Sequence, residues 1–205
     1  FVFMQNNFTT FRPELKDVKI KGTITFTGTN GAGVYNTGTF TAKSGSSINV
    51  NTPGQSSIGA FNSGTLTIDS GATITGTAKD ATGIYATGGT ATNNGTISMT
   101  AEKAKGLVTD KTASTNGTIV NNGNVSVEGK ESVGAAALAG TINIAGGTIS
   151  AKGLSGITLY TGGTTGGTIN ANAGNIKAEN GAINVYADKG TIKFNGATIN
   201  TGSGS

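Results

Sequence analysis

The chain has 205 residues, of which 35 are glycine, two are proline and none is cysteine or histidine. Without those two residue types it has no disulfide, no thiolate metal ligand and no Ser-His-Asp or Cys-His catalytic arrangement. The formal net charge is +4, but Arg12 is the only arginine, and because nucleic-acid binding uses a clustered basic surface we expect no nucleic-acid partner.

The N-terminal 21 residues lack the pattern that follows, and we predict that they form a cap or the stub of a preceding region. Terminal coils of a repeat protein expose open core and unpaired strand edges, which an apolar cap would cover. The alternative is a donor strand that adds to a neighbouring molecule. The segment is rich in phenylalanine, with Phe1, Phe3, Phe8 and Phe11.

Residues 22–205 contain a repeat, preceded by one strand-like stretch at Thr23-Ile24-Thr25-Phe26-Thr27. A Gly-Thr pair recurs at spacings of 26, 25, 28, 23, 27 and 23 residues, starting from Gly38-Thr39. A Gly-apolar motif opens each unit, from Gly33-Val34-Tyr35 to Gly156-Ile157, and Ala182-Ile183 takes its place in the seventh. A glycine turn and a further strand close it. Each unit is therefore predicted to form three strands, which we call the opening, the middle and the closing strand.

The apolar residues alternate with threonine, serine and asparagine, which indicates strands with one buried side. One such strand set cannot bury its apolar face alone, whereas identical coils stacked in parallel place isoleucine on isoleucine. The prediction is an all-β, single-stranded parallel β-helix (a β-solenoid) with three short strands per coil and about seven coils. The general preference for right-handed crossovers predicts a right-handed helix. The expected buried column of the closing strands contains Ile48, Ile74, Ile97, Val125, Ile149, Ile176 and Ile199.

Two units carry extra residues between the opening and middle strands, at 110–116 and at 162–166. Insertions in solenoids leave the stack as loops. We expect these segments to be tolerated surface loops, with a binding face as the alternative.

The chain offers little catalytic chemistry. With ten acidic residues in all, the nearest candidate carboxylate pairs are Asp69 with Asp80 and Glu128 with Glu131, and solvated turn charges explain the second pair equally well. No calcium-binding nonapeptide and no phosphate-binding loop is present. We therefore predict no enzymatic activity, no catalytic residues, no metal site and no cofactor.

Three aromatic residues fall at the same position of three successive units: Tyr35, Phe61 and Tyr85. Tyr160 and Tyr186 fall near that position later in the chain. If the preceding residues point inward, these rings point outward and form a ladder that could stack on sugars or on another protein. The alternative, which we favour, is that the rings stabilise the sheet through cross-strand stacking. An antifreeze-like threonine array is disfavoured because the exposed threonines are irregularly spaced along the sequence.

The units Gly33-Val34-Tyr35-Asn36-Thr37-Gly38-Thr39 and Gly83-Ile84-Tyr85-Ala86-Thr87 resemble passenger domains of type V autotransporters, as do Asn93-Asn94-Gly95-Thr96-Ile97 and Asn121-Asn122-Gly123-Asn124. They are most similar to the repeats of large fusobacterial outer-membrane adhesins. The resemblance implies a right-handed β-helix displayed on the surface of a Gram-negative cell, with a translocator barrel expected in the parent protein. It carries over no binding residue.

The expected function is therefore an extracellular passenger segment of a surface adhesin, serving as stalk and contact surface for adhesion or co-aggregation. The expected partner is a host or bacterial cell-surface protein or glycan. The alternative is a subunit of an extracellular fibre that stacks head to tail through its open ends. A third possibility is a lectin or glycan-acting enzyme that uses the outer face.

Overall fold

The computed structural model describes residues 17–51 and 57–204, and these form 23 short strands. The strands build three parallel sheets of eight, eight and seven strands, in which each strand pairs with its counterpart one coil away. This is the predicted all-β parallel solenoid of about seven coils with three strands per coil. Most of the N-terminal cap predicted for residues 1–21 lies outside the described residues.

The middle strands form one eight-stranded sheet. In chain order its members are β1 (Val18–Ile20), β4 (Thr39–Ala42), β7 (Thr65–Ile68), β10 (Thr90–Asn93), β13 (Thr118–Asn121), β16 (Thr141–Ile144), β19 (Gly167–Ala171) and β22 (Gly190–Phe194).

The closing strands form the second eight-stranded sheet. Its members are β2 (Thr23–Phe26), β5 (Ser47–Val50), β8 (Thr73–Gly76), β11 (Thr96–Met99), β14 (Asn124–Glu128), β17 (Thr148–Lys152), β20 (Asn175–Glu179) and β23 (Thr198–Thr201).

The opening strands form the seven-stranded sheet. Its members are β3 (Ala32–Asn36), β6 (Ile58–Asn62), β9 (Thr82–Ala86), β12 (Lys105–Thr109), β15 (Val133–Ala137), β18 (Ile157–Thr161) and β21 (Ile183–Ala187).

The core runs along the inside of the coils as columns of like residues. Ile48, Ile74 and Ile97 lie at matched positions of neighbouring closing strands and are fully buried. The middle sheet repeats the arrangement with Phe40, Leu66 and, two coils further on, Ile119. Because every coil buries its apolar side chains against the next, a narrow but continuous core is enough to hold the coils together.

A glycine in most opening strands lets the opening sheet approach the closing sheet. A Cβ at Gly83 would lie 2.6 Å from both the carbonyl oxygen of Gly106 and the Cγ2 of Ile97. The same conflict recurs one coil earlier, at Gly59. Glycine fits at these positions because it has no Cβ, and it lets the backbone of the opening strands pack directly against the isoleucine column.

The register corrects two expectations from the sequence. On β18, the position of the glycine column is occupied by Thr158 and not by Gly156. This follows from the pairing of β18 with β15, which places Leu159 beside Ala135. The threonines of the Gly-Thr pairs, whose unequal spacing along the sequence disfavours a regular array, form one unbroken column, because the variable spacings are absorbed in loops outside the sheet. This threonine column contains Thr39, Thr65, Thr90, Thr118, Thr141, Thr168 and Thr191.

The two longer units depart from the stack where the sequence predicts. Residues 111–116 are exposed and close on themselves through an antiparallel bridge between Lys111 and Asn116. Residues 163–165 are likewise exposed between β18 and β19. Across residues 17–51 and 57–204, no helix has the length and hydropathy of a bilayer span.

Candidate functional site

The predicted aromatic ladder lies on the outer face of the opening sheet. Tyr35, Phe61 and Tyr85 are direct neighbours on β3, β6 and β9. The residues that precede them, Val34, Ala60 and Ile84, are buried as expected, so alternation along the strand directs the rings outward. Tyr35 on the edge strand is 59% exposed, whereas the other two rings are half-buried.

The three rings stack on one another. The ring centroids of Tyr35 and Phe61 are 4.8 Å apart with an interplanar angle of 3°, and those of Phe61 and Tyr85 are 6.0 Å apart at 17°. Parallel rings lying side by side in one plane could not come as close as the first pair, so the faces of that pair overlap. The ladder consequently turns its ring edges to solvent, and its ring faces contribute to stability between coils.

The aromatic column is longer than the sequence indicated. Tyr160 and Tyr186 occupy the same register position as Tyr85, and Val108 and Ala136 lie at that position between Tyr85 and Tyr160. The rings of Tyr160 and Tyr186 stack at 5.8 Å. Val108 and Ala136 are buried, so the stripe divides into two separate groups of rings.

The loop of residues 110–116 is fixed to the end of the first group. The Tyr85 hydroxyl donates a 2.6 Å hydrogen bond to a carboxylate oxygen of Asp110, and burial together with this bond raises the pKa of Tyr85 well above its usual range. At the other end of the loop, the Thr115 hydroxyl donates to the carbonyl of Thr87 at 3.0 Å. The loop is thus a positioned projection beside the ladder.

The charged side chains concentrate at one corner of the coils, between the closing strands and the next opening strands. Lys79 pairs with Glu102 and Lys103 with Glu131, each across one coil boundary. The Lys130 ammonium hydrogen-bonds Glu131 and lowers the pKa of that carboxyl. These groups are exposed and paired, so they form a solvated stripe.

The candidate carboxylate pairs have ordinary partners. Asp69, directly after β7, makes an ion pair with Lys43, whereas Asp80 lies between β8 and β9, so the length of β8 separates these two carboxylates. Glu128 pairs with Lys152 at 3.5 Å. Over residues 17–51 and 57–204, no group of three or more histidine, cysteine, aspartate or glutamate side chains could hold a metal ion. The expectation that the chain is not an enzyme stays a prediction.

The sequence reading missed a set of buried asparagines that hold the turns after the opening and middle strands. Asn36 donates to the side-chain oxygen of Asn62 at 2.7 Å, and Asn93 donates to Asn121 at 2.7 Å. Asn62 also donates to the carbonyls of Gly64 and Gly88. A repeated Asn-x-Gly spacing marks all four positions in the sequence and could have revealed them.

Comparison with known proteins adds one family. Residues 7–156 match the model of the BigA third pectate lyase-like domain, a stretch that ends four residues after β17. Neither curated proteins nor solved structures gave a significant match. The match supports a β-helix of the passenger type found in surface adhesins. Since it covers well over half of the 205 residues, the chain belongs to the BigA third pectate lyase-like domain family.

Proposed function

We propose that this chain is an extracellular passenger segment of a type V-secreted bacterial adhesin, acting as a stalk and contact surface. The observation that carries the proposal is the continuous like-on-like stacking of coils whose outer columns are not needed for the core. Such a rod holds outward side chains at fixed spacing over a length of about 34 Å, at ~4.8 Å per coil. The family match is consistent with display on a bacterial surface.

The contact residues we assign to the rod are Tyr35, Phe61 and Tyr85. Tyr35 combines a large apolar ring with a phenol and is 59% exposed, a combination enriched at protein interfaces. Its partner would be a cell-surface protein or glycan. The neighbouring loop, positioned through the hydrogen bond between Tyr85 and Asp110, adds polar groups at the rim.

Display of the chain on non-adherent Gram-negative cells, fused to a heterologous translocator barrel, tests the proposal. Adherence to host cells or to partner bacteria should rise above that of cells that display the barrel alone. A Tyr35→Thr variant should lower the added adherence, whereas Tyr186→Thr should not. Tyr186 is a suitable control because it is also exposed, at 49%, and occupies the same column at the opposite end. Adherence equal to that of the barrel alone would contradict the adhesin role.

The fibre subunit is the second candidate, and one observation favours it. Ile183, Tyr186, Phe194 and Ile199 are exposed apolar side chains on β21, β22 and β23, which are edge strands of the three described sheets. Strands of a second copy could pair with these edges and cover these side chains. Analytical ultracentrifugation of the purified chain decides between the two roles, because a stable monomer at high concentration would eliminate the fibre.

A further inference from the structure

We infer that the outer face of the middle sheet is a docking surface for an uncharged, linear polysaccharide that lies along the rod axis. The inference deepens the proposed adhesin function and rests on it. The face is built on the threonine column defined above, which places one threonine on each of seven successive middle strands from β4 to β22.

The hydroxyls of the threonine column are available to a partner. Their side chains make no hydrogen bond within the described residues. The equivalent face of the closing sheet differs, because the Thr75 hydroxyl donates to Asn49 at 2.8 Å and the Thr73 hydroxyl donates to Ser47 at 3.1 Å. A hydroxyl can both donate and accept, so a partner rich in hydroxyls can satisfy each threonine of the column.

The charge distribution selects a neutral partner. The second outward column of the middle sheet begins with Lys19 and ends with Lys193, and its members between them are threonine, valine or asparagine. The ion pairs of Glu102 and Glu131 lie at another corner of the coil. An acidic polymer would find no row of cations here, whereas an uncharged one loses no ionic hydration on binding.

The shape of the array selects a linear partner. The threonine column is unbroken, but the second column loses its threonines after Thr92, where Val120 and then Asn143 take their place. A flat lattice such as ice would need both columns over the whole face, while a chain molecule needs one. Successive coils are ~4.8 Å apart, and a 1,4-linked pyranose chain advances by a similar distance per sugar. Each sugar can therefore meet the threonine of its own coil.

The test uses the purified full chain with cellohexaose and chitohexaose as uncharged linear probes and a galacturonic acid hexamer as the acidic comparator. Binding is followed by nuclear magnetic resonance titration. Both uncharged hexamers should shift amide signals of the middle strands, and the corresponding trisaccharides should bind more weakly because fewer coils are engaged. The acidic hexamer should bind at least tenfold more weakly than the neutral ones.

A matched pair of triple variants locates the site. Thr90→Val, Thr118→Val and Thr141→Val remove three hydroxyls of the column, and valine keeps the β-branched shape that a strand prefers. Loss of three uncharged hydrogen bonds should weaken binding on the order of tenfold or more. Val substitutions at Thr96, Thr148 and Thr198, which occupy the corresponding position of the closing strands, should leave affinity within about twofold.

Several outcomes would overturn the inference. These are no shift with either uncharged hexamer, shifts centred on another sheet, stronger binding of the acidic hexamer, or equal loss in both triple variants. Inhibition of ice recrystallisation by the wild type, without saccharide binding, would assign the face to ice instead. Displayed cells that adhere normally while the purified chain binds no saccharide would remove this inference and leave the adhesin role intact.

Discussion

The glycine column of the opening strands makes the sharpest prediction about what holds the coils together. In Gly83→Ala, the new methyl group would lie 2.6 Å from the carbonyl oxygen of Gly106 and 2.6 Å from the Cγ2 of Ile97. Ordinary contacts begin near 3.4 Å, so both neighbours would have to move by most of an ångström. One neighbour is backbone of the next coil and the other is a fully buried core side chain, so neither can swing into solvent.

Overpacking of this kind typically costs about 1–3 kcal/mol. Because the methyl meets two fixed neighbours, we expect Gly83→Ala to lower the free energy of unfolding by about 3 kcal/mol, at the top of that range. Gly146→Ala is the matched control, since the heavy atom nearest to its new methyl group, the carbonyl oxygen of Asn122, is at an ordinary contact distance of 3.4 Å. We expect the control to change stability by less than ~0.5 kcal/mol.

Urea unfolding of the wild type and both variants, followed by circular dichroism, measures the two effects. The reasoning would be refuted if Gly83→Ala lost less than ~1 kcal/mol, or if Gly146→Ala lost as much as Gly83→Ala. Either result would mean that neighbouring coils are separable enough to admit a methyl group, and that the glycine column has another cause.

Three further predictions concern single side chains. Asn62→Ala should lower the free energy of unfolding by about 2–3 kcal/mol, because it leaves buried partners without hydrogen bonds. The control Asn122→Ala, at an exposed position, should lower it by less than ~0.5 kcal/mol. Thermal unfolding of both variants tests this. Ser155 has φ 59°, so Ser155→Gly should raise unfolding free energy by about 0.5–1 kcal/mol, and a loss would contradict it. The raised pKa of Tyr85 means that a spectrophotometric titration of the wild type should show a component that ionises above the usual pH range of tyrosine, and Tyr85→Phe should abolish that component.

The sign of the Tyr85 effect on stability follows from the direction of its pKa shift. Its phenol is held neutral in the folded chain by burial and by the hydrogen bond to Asp110. The stabilisation is therefore complete below the unfolded pKa near 10, and it is lost as pH rises toward the folded pKa. Loss of stability above pH ~10 should be smaller in Tyr85→Phe than in the wild type.

The fold was predictable because its determinants are local and repeated. Ile48, Ile74 and Ile97 each follow a turn glycine within two or three residues, and parallel stacking is the arrangement that buries all of them. The register of the sixth unit was not predictable in the same way. Thr158 replaces the glycine there, and its hydroxyl finds a carbonyl acceptor at Lys177, 3.0 Å away, a contact with a closing strand later in the chain that spacing cannot reveal.

The candidate site was less accessible to sequence reasoning, since it depends on which residues share a column across coils of unequal length. The Tyr35 to Tyr85 ladder could be aligned because its three units are similar in length. Tyr160 could not, because a loop insertion after Asp110 and the shift at Thr158 separate it from Tyr85. The threonines of the Gly-Thr pairs were found from the sequence, but their unequal linear distances hid the fact that they form one unbroken outward column.

The division between inner and outer columns explains why the fold and the site differ in predictability. The inner columns hold mainly apolar side chains and glycine, because each coil packs against the next and a side chain of the wrong size opens a cavity or a clash. The outer columns contribute little to that packing, so one sheet can present aromatic rings, another threonines, and one corner paired charges. A solenoid of this kind can therefore change its partner through a single outward column while every coil keeps the same core, which is why we place both contact surfaces on columns that face solvent.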